Sequence, residues 1–356
     1  MAHVPAVAHT LACFAQKDVR KPWSLPGTRL KQVAEQPEDN MQKLWITRPL
    51  PDKVIAEARR HFDVEVRAET LPLTQAERLR ALADFDAVLP TLGDAFDASF
   101  FKDSPRCRVL ANFGVGFNHI DAKAARAAGV AVSNTPGAVT DATADIAMTL
   151  MLMTCRRAGE GERMVRAGNW PGWHPTQLLG MHVTGKTLGV IGMGRIGQAI
   201  AQRAALGFGM KIVFYNRSTV AGLPFDATQL AGLEDVLQAA GVVVLAVPAT
   251  PETHHLIDAA ALGMMKRESV LINIARGDVV DEAALIEALE QGRIAGAGLD
   301  VYEFEPKVPE ALRRMENVTL LPHLGTSAQE VREDMGLMAV ANLVAFFKEG
   351  KVLNPV

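Results

Sequence analysis

Apolar and polar positions alternate along this chain in two successive series. From residue 43 onward, the short apolar runs "KLWIT" (43–47), "DVEVR" (63–67), "AVLPT" (87–91), "RVLANFG" (108–114) and "VAVSN" (130–134) read as strands. Stretches of helical period fill the gaps, for example "PDKVIAEARRHF" (51–62) and "NHIDAKAARAAG" (118–129). One long helix is predicted over 143–168, followed by a Trp/Pro/Gly loop, "NWPGWHP". The alternation then restarts with "TLGVIG" (187–192), "KIVFYN" (211–216), "VVVLAVP" (242–248), "SVLINIA" (269–275), "AGAGLD" (295–300) and "VTLLPH" (318–323). A last helical run covers 327–350.

Strand–helix alternation predicts α/β architecture, here two doubly wound parallel sheets with helices on both faces. Too few residues follow 350 for a further domain, so the final helix must return to the first sheet and the second domain is inserted into the first. The expected division is 41–142 with 326–356 for one domain and 143–325 for the other. Residues 1–40 lack both the basic start and the cleavage site of a secretory signal and are read as an extension.

Composition narrows the class. Apolar residues make up 49% and charged residues 22%, as in a folded globular protein. The net charge of −3 gives no electrostatic reason to expect nucleic acid. No apolar run reaches the ~18 residues of a membrane span. Cys13, Cys107 and Cys155 are scattered, without metal or redox spacing, which fits a reducing cytoplasm.

The stretch "IGMGRIG" carries the first chemistry. It follows a strand and opens a helix, the setting in which G-x-G-x-x-G binds a dinucleotide. Gly192 allows the tight turn, Gly194 lets the backbone approach a pyrophosphate, and Gly197 permits close helix packing, with Arg195 and Ile196 at the helix start facing the phosphates. The next strand ends Asn216, Arg217, Ser218, where NAD sites usually carry a carboxylate for the ribose hydroxyl. A guanidinium and a hydroxyl there suit a 2′-phosphate, so NADP(H) is expected ahead of NAD(H).

Three later strands each end in a reactive side chain: Arg276 in "NIARGDVVDE", Asp300, Glu303 and Glu305 in "GLDVYEFEP", and His323 in "LPHLGT". Open α/β sheets place ligands at the carboxyl ends of their strands, so these groups should converge. His254 and His255, adjacent in sequence, are expected to face apart and to hold no metal. His119 and Asp121 are assigned to the start of a helix, and Trp170 and Trp173 either line the pocket or pack their loop.

These motifs, together with "NFGVGFNHID" (112–121) and "NTPGAVTDATAD" (134–145), resemble the D-isomer-specific 2-hydroxyacid dehydrogenases over residues 42–356, most nearly their glyoxylate/hydroxypyruvate reductase branch. The resemblance implies a Rossmann cofactor domain inserted into a flavodoxin-like substrate domain. It implies a small 2-keto or 2-hydroxy acid as substrate and His323 as general acid and base, with Glu305 favouring the charged imidazole. Arg276 would grip the carboxylate and polarise the ketone, and the N–H groups of Val115 and Gly116 would complete that cradle. Thr140, Val247, Pro248, Thr253, Ile274, Ala275 and Asp300 would border the cofactor. Formate dehydrogenases of the superfamily carry glutamine where this chain has Glu305. The resemblance and the apolar 143–155 helix imply a homodimer. Competing readings are a larger sugar-derived keto acid, 3-phosphoglycerate or phosphite as substrate, and a non-catalytic dinucleotide sensor.

Overall fold

The computed structural model describes residues 41–102 and 104–356. Five strands, β1 (Lys43–Ile46), β2 (Asp63–Val66), β3 (Ala87–Leu89), β4 (Val109–Ala111) and β5 (Ala131–Ser133), form one parallel sheet in the order β2-β1-β3-β4-β5. That is the flavodoxin-like order, with its switch point between β1 and β3. Seven more form a second: β6 (Thr187–Ile191), β7 (Lys211–Tyr215), β8 (Ala227–Gln229), β9 (Val242–Leu245), β10 (Val270–Asn273), β11 (Gly296–Leu299) and β12 (Val318–Leu320). Their order, β12-β11-β10-β9-β6-β7-β8, is that of a Rossmann sheet extended by one strand. The pairs are parallel throughout, and the central strands β9, β10 and β11 are buried on both faces. The edge strand β8, only three residues long, adds a seventh strand to the six legible in the apolar pattern.

Helices α1 (Asp52–Arg59), α2 (Gln75–Asp84) and α3 (Ala122–Ala127) link the first sheet. Helix α4 (Thr140–Cys155) leaves it and buries Ala144, Ala147, Leu150 and Met151 in the core of the second. The single helix expected over 143–168 is two. After α4 the chain turns at Arg157, in the left-handed region at φ 51°, before α5 (Ala158–Arg166). The cause is a returning segment: the Met181 N–H donates to the Cys155 carbonyl at 2.7 Å, and a Cβ on Gly180 would stand 2.3 Å from that oxygen. Helix α6 (Arg195–Phe208) follows the glycine turn, and α7 (Leu233–Ala239), α8 (Ala259–Met264), α9 (Glu282–Glu290) and α10 (Glu310–Arg314) complete the second layer. The last helix, α11 (Gln329–Glu349), returns to the first sheet. Its Met335, Ala339, Val340 and Leu343 pack with Leu44, Ile46 and Ala111, and at Gly336 a Cβ would meet Val54 at 2.4 Å. Among the described residues no helix is long and apolar enough to cross a membrane.

Candidate active site

The glycines after β6 differ in what they do. At Gly192 φ is +96° and a Cβ would meet the Ala246 carbonyl at 2.8 Å; at Gly197 it would meet the Gly192 carbonyl at 2.1 Å. Both are therefore required by the protein's own packing. Gly194, at φ −77°, caps the start of α6, and a Cβ there would meet nothing within 4 Å. The fold itself does not demand glycine at that point, whereas a pyrophosphate lying against bare backbone does. The residues present thus fit a dinucleotide.

At the end of β7, Asn216 is occupied by the protein. Its Oδ1 accepts from the Met193 N–H at 3.1 Å, and its Nδ2 donates to the Ser218 carbonyl at 2.9 Å and to Ser218 Oγ. Gln229 Nε2 ties the same turn through the Asn216 and Ser218 carbonyls. Arg217 and Ser218 are left exposed at its tip. Glu252 lies close enough for the Arg217 charge to help hold its carboxyl low, behind hydrogen bonds from the Thr250 side chain and from its own backbone.

The carboxyl ends of β10, β11 and β12 meet at a cavity of about 700 Å³ bordered by both sheets. His323 follows β12 at φ 56°. Asp300, at the end of β11 and 2% exposed, maintains that turn: its carbonyl accepts from the His323 N–H, and its carboxylate from the N–H groups of Leu324 (2.6 Å) and Gly325 (2.8 Å). Thr143 Oγ1, on α4, donates to the Gly325 carbonyl at 3.1 Å. So held, His323 Nδ1 lies 2.9 Å from Glu305 Oε2, while Glu305 Oε1 accepts from the Tyr302 N–H at 3.0 Å. Burial pushes the Glu305 carboxyl up, but the hydrogen bond and charge of His323, the Tyr302 N–H and the nearby Arg276 outweigh it and hold the carboxyl below its usual range.

Arg276 lies on the same cavity. Burial pulls its value down, opposed by Glu305 and Asp278; Nη1 donates to the Ala275 carbonyl at 2.6 Å. Its guanidinium rests on Gly116, where a Cβ would stand 1.8 Å from Nη2. The loop after β4 turns its carbonyls away: Asn112 Nδ2 donates to those of Gly114 and Gly116, and Asn134 Nδ2 to that of Val115. The N–H groups of Val115 and Gly116 meet no acceptor among the described residues, and both residues line the cavity.

Of the other residues singled out in the sequence, Ile196, Val247, Pro248, Ile274, Ala275 and Asp300 line the cavity. The Thr253 hydroxyl is spent on the Pro248 carbonyl at 2.7 Å, and Thr140 opens α4 one residue beyond the lining Val139. Asp121 caps α3 through the Ala124 N–H. His254 and His255 do not face apart: His255 takes φ 49°, the rings stack at 4.0 Å, and His255 Nε2 lies 3.1 Å from Glu303 Oε1. A nitrogen of each ring and a carboxylate oxygen of Glu303 lie within 4.8 Å of one another, so side chains expected to stay apart are gathered as a donor set. Sequence reasoning passed over Arg48, Leu92, Thr143 and Arg332, which also line the cavity. Asn112 and Asn134, each within a quoted motif, were the legible signal for the loop that Arg276 meets.

A doubly wound dinucleotide fold with Arg, Glu and His at its carboxyl edge defines an NAD(P)-dependent dehydrogenase. Residues 148–325 match the family model of the D-isomer specific 2-hydroxyacid dehydrogenase, NAD binding domain. The chain is 44% identical over 315 residues to a glyoxylate reductase of Thermococcus kodakarensis, spanning 87% of this chain and 94% of that protein. A crystal structure of a protein from Thermus thermophilus superposes with a TM-score of 0.82 at 42% identity, covering 88% and 99% of the two chains. An NADPH-dependent glyoxylate/hydroxypyruvate reductase of Sinorhizobium meliloti, in complex with NADP and malonate, superposes at 0.78 with 34% identity over 89% and 97%. The chain belongs to the D-isomer specific 2-hydroxyacid dehydrogenase family.

Proposed function

We propose that the protein reduces small 2-keto acids, glyoxylate and hydroxypyruvate foremost, with NADPH, giving 2-hydroxy acids of D configuration where the product is chiral. The observation that carries this reading is the His323–Glu305 contact of 2.9 Å on the cavity that Arg276 lines. A bound dihydronicotinamide supplies a hydride for the ketone carbon. Arg276, a fixed fork with spare donors, holds the carboxylate and draws charge toward the ketone oxygen, and the amides of Val115 and Gly116 complete the cradle. His323 delivers a proton to the developing alkoxide from Nε2, since Nδ1 is committed to Glu305. In the oxidative direction the neutral ring takes that proton back. Gly194, Arg195 and Ile196 hold the pyrophosphate, and Arg217 with Ser218 takes the 2′-phosphate; their exposure at the end of β7 supports this.

A homodimer accords with exposed apolar side chains along one segment, Val165, Trp170, Trp173 and Leu179. A cytoplasmic setting accords with Cys107 and Cys155, both free and buried, their thiols pushed up to about 12 by burial.

The test is oxidation of NADPH and NADH by pure protein over a panel of 2-keto acids. Turnover of glyoxylate is expected, lost by roughly 10²-fold or more in His323→Ala while NADPH affinity holds. Arg217→Ala should weaken NADPH far more than NADH. No turnover on any 2-keto acid would sink the catalytic reading, and an unchanged cofactor preference the phosphate assignment.

A further inference from the structure

The cavity has two guanidiniums that the reaction above does not use, Arg48 and Arg332. Arg48 follows β1 and lines the same cavity as Arg276, from the side of the five-stranded sheet. Its orientation is fixed. Nη1 donates to Thr91 Oγ1 and to the Leu92 carbonyl, both at 2.5 Å, and Nη2 donates to Asp94 Oδ1 at 3.1 Å. Asp94 is fully buried and held in turn by Thr47 Oγ1 (2.6 Å), the Thr91 N–H (2.9 Å) and the Leu73 N–H (3.1 Å). A cation this well tethered loses little freedom on meeting a ligand.

Its donors are not all used. Arg48 Nε is buried without an acceptor among the described residues, and Nη2 makes a single bond. Nε is sealed from solvent, so the unspent N–H of Nη2 is the donor left for an acceptor in the cavity. The ring of His119 lies near Arg48, Asp94 and Arg276, with both nitrogens buried and unpaired. Burial pushes it down to about 4, with the two guanidiniums adding to that and Asp94 opposing, so the ring itself adds no charge between them.

We propose that Arg48 is a specificity-determining residue, a second anchor that reads an oxygen on the carbon beyond the ketone. The inference rests on the functional reading above. An acid held at Arg276 by its carboxylate and ketone has only its next carbon free to reach the Arg48 side of the cavity. A hydroxyl or carboxylate there accepts from Arg48; a methyl leaves the spare donor of the guanidinium without an acceptor and meets a polar wall. The exposed Leu92 side chain, whose carbonyl Arg48 holds, limits the room beside it.

Hydroxypyruvate and pyruvate differ by that one oxygen. Wild-type protein should favour hydroxypyruvate in kcat/KM by at least about tenfold, chiefly through KM. Arg48→Met should reduce this ratio at least about tenfold, and Arg48→Lys should recover part of it. A merely structural role for Arg48 would lower both substrates by the same factor and leave the ratio where it was; that result overturns the proposal. Equal use of the two keto acids by wild type also overturns it and needs no variant. Absence of turnover on every 2-keto acid would instead remove the functional reading beneath it.

Discussion

Glu305 keeps its charge against burial because the His323 hydrogen bond, the Tyr302 N–H and Arg276 all favour the carboxylate. The sign follows: with its folded value held below the usual carboxylate range, Glu305 is charged at neutral pH and loses that charge only as pH falls through the lowered value. Glu305→Gln keeps a hydrogen-bond partner for Nδ1 but removes the charge. Its kcat/KM for keto-acid reduction should fall roughly tenfold or more, and the acid limb set by the carboxylate should disappear. Profiles of kcat/KM against pH check this; an unchanged rate and acid limb would leave Glu305 a steric support only. The same scale explains Asp300. Its carboxylate, spent on the two N–H groups that follow His323, holds that residue in its left-handed turn.

At the level of elements, the turn between β6 and α6 separates packing from binding. Gly194→Ala adds a methyl where the protein has no atoms within 4 Å, so the fold should lose no more than about 1 kcal/mol. The same methyl stands where the pyrophosphate must approach, and NADPH affinity should fall roughly tenfold or more. Gly197→Ala drives a Cβ to 2.1 Å from the Gly192 carbonyl, and should cost more than about 2 kcal/mol in stability because backbone cannot yield cheaply. Denaturant melts and NADPH fluorescence titration separate the two effects; matching losses in both variants would refute the distinction. The turn itself was legible in the sequence, because a strand, three spaced glycines and a helix stand where the apolar pattern put them. The break at Arg157 was not, since its cause is a carbonyl contact with Gly180, a residue distant in the chain. Strand β8 escaped notice because "ATQ" is too short and polar to show a period. The stacking of His254 on His255 depends on one backbone angle that residue types do not encode.

For the whole molecule, the decisive contact joins the two sheets. Gly116 belongs to a loop after β4 of the five-stranded sheet, and Arg276 follows β10 of the seven-stranded one; the guanidinium lies on the glycine with no room for a methyl. Each sheet could fold correctly and the cavity still fail if this contact were spread. Gly116→Ala therefore tests whether the site is a property of the assembled pair. The added Cβ must push the guanidinium aside or part the sheets, and reactive groups displaced by about 1 Å can lose about 10²-fold in rate. The glycines of the cofactor turn pack within the second sheet, against Ala246 and Val190, although Ile196 beside them also touches the core of the first. The expected outcome is a rise of roughly tenfold or more in KM for the keto acid, a fall in kcat/KM to match or exceed it, and an NADPH dissociation constant within about threefold of wild type. A parallel loss of NADPH binding would mean that the two layers do not divide the work in this way. A KM left at its wild-type value would mean that the substrate's carboxylate is held somewhere other than between Gly116 and Arg276.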